Sequence, residues 1–132
     1  MCFCFSRRGI ISFVPILAKG RYAVMAEKLY GYKKGDEKVI ERIIEDDNVA
    51  INHMILRRSE SLPEHYSNSS VYMIVVRGQV SLKLDDREEH SYPEGSIINI
   101  PYQTKMNVSN QHDEIMEIFV VKAPSPKNMS AE

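Results

Sequence analysis

From residue 49 onward the chain is a succession of short apolar runs broken by turn residues. "VAINHMILR", "VYMIVVRG", "QVSLKLDD", "SIINIP", "KMNVSN" and "EIMEIFVVK" are rich in Val, Ile, Tyr and Phe. Between them lie 59–63, 68–70, Asp85-Asp86, 93–95 and 110–113, stretches of Ser, Asn, Asp, Pro and Gly that favour turns. In "QVSLKLDD", Val80, Leu82 and Leu84 alternate with Ser81 and Lys83, the period of a strand with one buried and one wet face. Many short strands at regular spacing predict an all-β sandwich or barrel. The strand "VYMIVV" is apolar on both faces. If Val71, Met73 and Val75 point inward, Tyr72, Ile74 and Val76 point outward and need cover, which predicts a homodimer.

Upstream the pattern is less decided. "MAEKLYGYKKGDEK" is interrupted by Gly31 and Gly35. "EKVIERIIEDD" places Val39, Ile40, Ile43 and Ile44 at helical spacing, yet its β-branched residues suit a strand equally. A short helix or an extra strand is therefore expected before residue 49. The chain divides into a leader (1–24), an N-terminal arm (25–48), a barrel (49–123) and a flexible tail (124–132) carrying Pro124 and Pro126.

Composition bounds these elements without specifying a function. The 132 residues fit one domain, and 43% hydrophobic and 27% charged residues are ordinary for a globular chain. The net charge of −1 is unevenly spread. Arg7, Arg8, Lys19 and Arg21 fall in the acid-free leader, leaving 13 basic against 18 acidic residues, a net −5, from Met25 onward. No basic run offers a footprint for nucleic acid or an anionic membrane, so neither is expected as a partner. Cys2 and Cys4 are the only cysteines and are too close to build a disulfide framework or a zinc site. "GIISFVPILA" is too short to span a bilayer as a helix. The leader reads as a misassigned start or a disordered extension, which implies a cytoplasmic protein. Alternatively it is an export signal, its apolar run following the Arg7-Arg8 pair.

Residues 49–122 resemble the cupin family in its small, single-domain, conserved-barrel form. These are RmlC-like jelly rolls built as a double-stranded β-helix. His65 stands at the first histidine of the first cupin motif and Gly78 at its closing glycine. Pro93-Glu94-Gly95 and "SIINIP" supply the frame of the second motif, and Asn110 its closing asparagine. The departures fall on the metal ligands. Ser59 replaces the opening glycine, Ser67 the second histidine, Val71 the glutamate and Met106 the histidine of the second motif. Of the four side chains that bind metal in the family, His65 alone remains.

A first-row divalent ion needs about three nitrogen or oxygen ligands to be held tightly. His65 with Ser67 and Val71 does not supply them. No cofactor is expected, and His65 is the single candidate metal ligand. The alternative is a divalent ion that recruits His53, Asn110 or Glu117 from elsewhere. Met54, Met73, Met106 and Met116 fall in four strands and could offer thioethers to Cu(I), although methionine is more often flexible core filler. His53 reads as a satisfied core or edge residue, and His90 and His112 as solvated turn residues. The leading expectation is a small-molecule-binding barrel of unassigned substrate with a degenerate metal site. Its cavity would be lined by His65, Ser67, Val71, Met73 and Met106, with Tyr66 and Tyr72 on the rim. A metal-dependent cupin enzyme, such as a dioxygenase or isomerase with non-standard ligands around His65, is second. A metal-free enzyme using His65 as catalytic acid or base is third.

Overall fold

The computed structural model describes residues 26–129. Upstream it describes four short strands, Cys4–Phe5 paired with Ile11–Ser12 and Ile16–Ala18 paired with Arg21–Ala23. The leader's readings as a misassigned start or an export signal lie outside the described residues. Nine strands follow: β1 (Val39–Glu45), β2 (Ala50–Leu56), β3 (His65–Tyr66), β4 (Val71–Arg77), β5 (Gln79–Leu84), β6 (His90–Pro93), β7 (Ile97–Ile100), β8 (Lys105–Ser109) and β9 (Met116–Lys122). They form two antiparallel sheets, one in the order β7-β4-β9-β2-β1 and the other β6-β5-β8-β3. No helix among the described residues is long and apolar enough to cross a membrane.

The ambiguous stretch before residue 49 is a strand. β1 pairs with β2, with a register shift between Arg42 and Ile44, and extends the larger sheet by one edge. Its helical spacing lost to the β-branched side chains and to an available strand partner. Asp46 shapes the connection to β2. Its Oδ1 accepts the Val49 and Asn48 N–H groups at 2.9 and 2.8 Å, and these bonds hold its carboxyl below the usual range.

The inner rows of the two sheets make the core. In β4, Val71, Met73 and Val75 are each 1% exposed, while Tyr72 and Val76 stand outside at 42% and 40%. The same alternation puts Met116, Ile118 and Val120 of β9 inside. Ser81 departs from the expected pattern. It sits on the outer face of β5 yet is fully buried, between its cross-strand partners Ser91 and Ser109 and with its Oγ 3.0 Å from Ser91 Oγ.

Most connections carry the chain from one sheet to the other, and the sharpest corner is Gly78 between β4 and β5. Its φ is +70°, and a Cβ there would lie 2.2 Å from the Ile115 carbonyl oxygen. Only glycine meets both demands. The first half of the expected flexible tail is docked. Ser69 Oγ donates to the Pro124 carbonyl, 126–128 form a 3-10 turn, Asn128 reaches the Asp47 carbonyl, and Lys127 pairs with Asp47 at 3.3 Å. The prolines end the ladder without ending the packing. Gly78→Ala should therefore cost about 3 kcal/mol or more, since both backbone strain and a backbone clash oppose it. Urea denaturation of the variant checks this.

Candidate functional site

The space between the two sheets opens into a small cavity of about 40 Å³. That is room for about one water-sized molecule. His65, Ser67, Val71, Met73 and Met106 lie together in its wall. Asn52, Met54, Leu62, Asn68, Val108, Val120 and Lys122 complete the wall.

Strand register explains the grouping. His65 on β3 is the cross-strand partner of Met106 on β8, so their side chains share a face. On the opposite sheet, Val71 partners Lys122, and Val120 partners both Met73 and Asn52. Tyr66 and Tyr72, expected at the rim, are not in the lining. Each follows an inward residue, His65 or Val71, and period two sends it to the outer face, where they are 62% and 42% exposed.

Two side chains settle what the cavity can coordinate. Ser67 is buried, its Oγ donates to the Pro101 carbonyl, and the same oxygen accepts the Thr104 N–H at 2.8 Å. That hydroxyl is committed to the 101–104 turn. His65 is exposed at the mouth, with Nδ1 2.9 Å from the Pro63 carbonyl oxygen. A carbonyl only accepts, so Nδ1 carries a proton and Nε2 is the ring nitrogen left for a ligand. Among the described residues, no three His, Cys, Asp or Glu side chains are placed to hold a metal ion.

The proposed recruits do not reach the cavity. Asn110 is fully buried, donates to the Leu56 and Glu114 carbonyls at 3.0 and 2.8 Å, and accepts the His112 N–H at 3.0 Å. His53 and Glu117 lie on the outer face of the larger sheet, in a cluster of their own. His53 is 0% exposed, with Nδ1 2.7 Å from Glu41 Oε2 and Nε2 2.6 Å from Glu117 Oε2. A neutral imidazole donates once, so the second contact needs a further proton on the ring or on a carboxyl. The rings of Tyr32 and Phe119 cover His53 at 4.7 and 4.9 Å. Arg77 Nε lies 3.1 Å from Glu117 Oε1, within ion-pair range but off the line of a hydrogen bond, and its guanidinium holds Asp36 and the Gly35 carbonyl. This cluster ties the arm to the barrel. His90 is exposed in β6, and His112 Nε2 lies 3.0 Å from Ser91 Oγ.

Lys122 is the charged residue among the wall positions that sequence reading missed. It ends the inward row of β9 after Met116, Ile118 and Val120, and that alternation was the available signal. Burial pushes its ammonium pKa below 10.5, nearby Arg42 adds to the shift, and Glu45 opposes it. A lowered lysine pKa means that the folded chain binds this proton less tightly than the unfolded chain does. Its contribution therefore turns more favourable as pH rises from below the folded value toward 10.5.

The chain is similar to an uncharacterised protein of Methanocaldococcus jannaschii, with 44% identity over 108 residues, 81% of this chain and 93% of that one. The crystal structure of an RmlC-like cupin family protein with a double-stranded β-helix fold, from the same organism, matches with a TM-score of 0.76. It is 45% identical and covers 79% of this chain and 96% of its own. A cupin superfamily protein from Desulfitobacterium hafniense, 11% identical, shares the fold with a TM-score of 0.59 over 69% of this chain and 81% of its own. No family model matches the chain.

His53→Ala should cost about 3 kcal/mol, because it leaves Glu41 and Glu117, both largely buried, facing an empty space. Chemical denaturation of the variant against the parent measures it.

Proposed function

The chain belongs to the RmlC-like cupin family, and on that footing we propose that it is a small-molecule-binding barrel whose cavity no longer holds the family's metal. The observation that carries this reading is the environment of His65. It shares one cavity with Ser67, Val71 and Met106, the residues at the ligand positions of the cupin motifs. Valine offers no donor, the Ser67 hydroxyl is already bonded twice, and a thioether is a poor partner for a hard divalent ion. A cavity walled by apolar side chains, with a few polar groups at its mouth, suits a small organic ligand.

Restoring the ligands tests the assignment of positions. Ser67→His, Val71→Glu and Met106→His together would surround His65 with a three-histidine, one-glutamate set. Without metal, the added charge and rings should destabilise the fold by about 3 kcal/mol or more. With Mn²⁺, Ni²⁺ or Zn²⁺, much of that loss should return, since an ion bound by the folded state stabilises it. The expected result is a melting temperature that falls in chelator and recovers with ion, while the parent responds to neither. A parent that loses stability in chelator would instead favour the metal-dependent enzyme.

The outer face of the larger sheet supports a homodimer. Tyr72, Val76 and Ile97 are 42%, 40% and 68% exposed there, and Ile97 is the cross-strand partner of Ile74. The arm covers this sheet at His53 and Phe119 and leaves these four beside it. A second copy would bury them. Light scattering at micromolar concentration should give twice the monomer mass, and Ile97→Lys should halve it.

A further inference from the structure

Resting on the reading of the cavity as a ligand site, we propose that its ligand is a short aliphatic monocarboxylate. The carboxylate sits at the mouth against Lys122, and the tail lies among the thioethers. Three features of the wall converge on this class. The first is charge. The titratable side chains of the wall are His65 and Lys122, and no carboxylate is among its residues. From Met25 onward the chain carries a net −5, so a lining that is basic and free of acid is not a sample of the surface at large.

The second is the unmet demand of Lys122. Its strand position places it inside, at the end of the β9 row beside Val71. Among the described residues it forms no salt bridge, whereas Lys105 and Lys127 each pair with an aspartate. Nearby Glu45 pairs instead with Arg42, at 3.5 Å. A half-buried ammonium without a counter-ion is costly to hold, and a bound anion would offset that cost. One ammonium suits a monoanion, since dianions such as phosphate are more often met by several donors or a guanidinium fork. The side-chain amides of Asn52 and Asn68, also in the wall, are neutral donors for the second oxygen.

The third is the floor. Met54, Met73, Met106, Val71, Val108 and Val120 are apolar, and three of them are flexible thioethers that reshape around an alkyl chain. The cavity of about 40 Å³ admits about one or two carbons, so the end of a short chain is what enters it.

The test uses the full chain labelled at its methionine methyl groups. It is titrated by NMR with butyrate and with the uncharged isostere butyramide. Butyrate should shift the methyl signals of Met54, Met73 and Met106 and bind about tenfold more tightly than butyramide. Lys122→Gln should erase that preference, and Lys122→Arg should retain it. Equal binding of the two probes to the parent would overturn the carboxylate assignment while leaving the cavity a binding site. No shift with either probe at tens of millimolar would overturn both. A preference for butyrate that survives Lys122→Gln would overturn the role of the lysine. If Lys122→Gln does not fold, Lys122→Arg and the parent's preference between the probes still decide the matter.

Discussion

Period-two alternation against a shared interior is the constraint on which the rest of this molecule depends. Two sheets face each other, and every strand commits alternate residues to the space between them. On β9 the inward row runs Met116, Ile118, Val120, Lys122. Its first two members fill the core, and Val120 and Lys122 reach the cavity. On β4 the inward row of Val71, Met73 and Val75 does the same in reverse. The cavity is therefore the open end of the core, built from the same rows and the same registers. Slipping either strand by one residue would replace its floor with the outward set, including Tyr72 and Phe119.

The outer face of the larger sheet follows a different physical logic. There the arm is held by charge and ring contacts. Glu41, His53, Glu117, Arg77 and Asp36 form a chain of polar contacts, and Tyr32 closes over the imidazole. The Lys33 backbone N–H donates to Glu41 at 2.9 Å and extends the chain into the arm. The two faces are chemically separate, since the cluster around His53 shares no residue with the cavity wall. A histidine that sequence reading offered as a recruit for the cavity proves to be the centre of this second structure.

Much of the fold was legible because strand alternation and turn chemistry are local. The cupin resemblance rested on Gly78, Pro93-Glu94-Gly95 and Asn110, and the structure gives Gly78 and Asn110 structural work at a corner and a turn. The five wall residues were legible because motif spacing reports strand register. What failed lay outside the motif spacing. Tyr66 and Tyr72 were placed on the rim by proximity in sequence, although neighbours along a strand face opposite ways. Lys122 was passed over because a charged residue near the end of a strand ordinarily faces water. Ser81 was assigned to the wet face, and its burial depends on Ser91 and Ser109 from two other strands. The docked start of the tail depends on Ser69 and Asp47, both far from it in sequence.

The thioether-lined wall has a consequence for how the cavity tolerates change. A coordination shell works only when each donor is held within a few tenths of an ångström, so nearly every substitution in it is a loss. A surface of methionine and valine has no such tolerance limit. Met73 and Met106 can exchange rotamers, or be exchanged for leucine, at small cost so long as volume is kept. Gly78, fixed by a carbonyl 2.2 Å from where its Cβ would be, has no such latitude, and neither has Ser67, whose hydroxyl bridges the Pro101 carbonyl and the Thr104 N–H. Within one small barrel, the corner is the part least free to change and the methionines of the wall are the part most free.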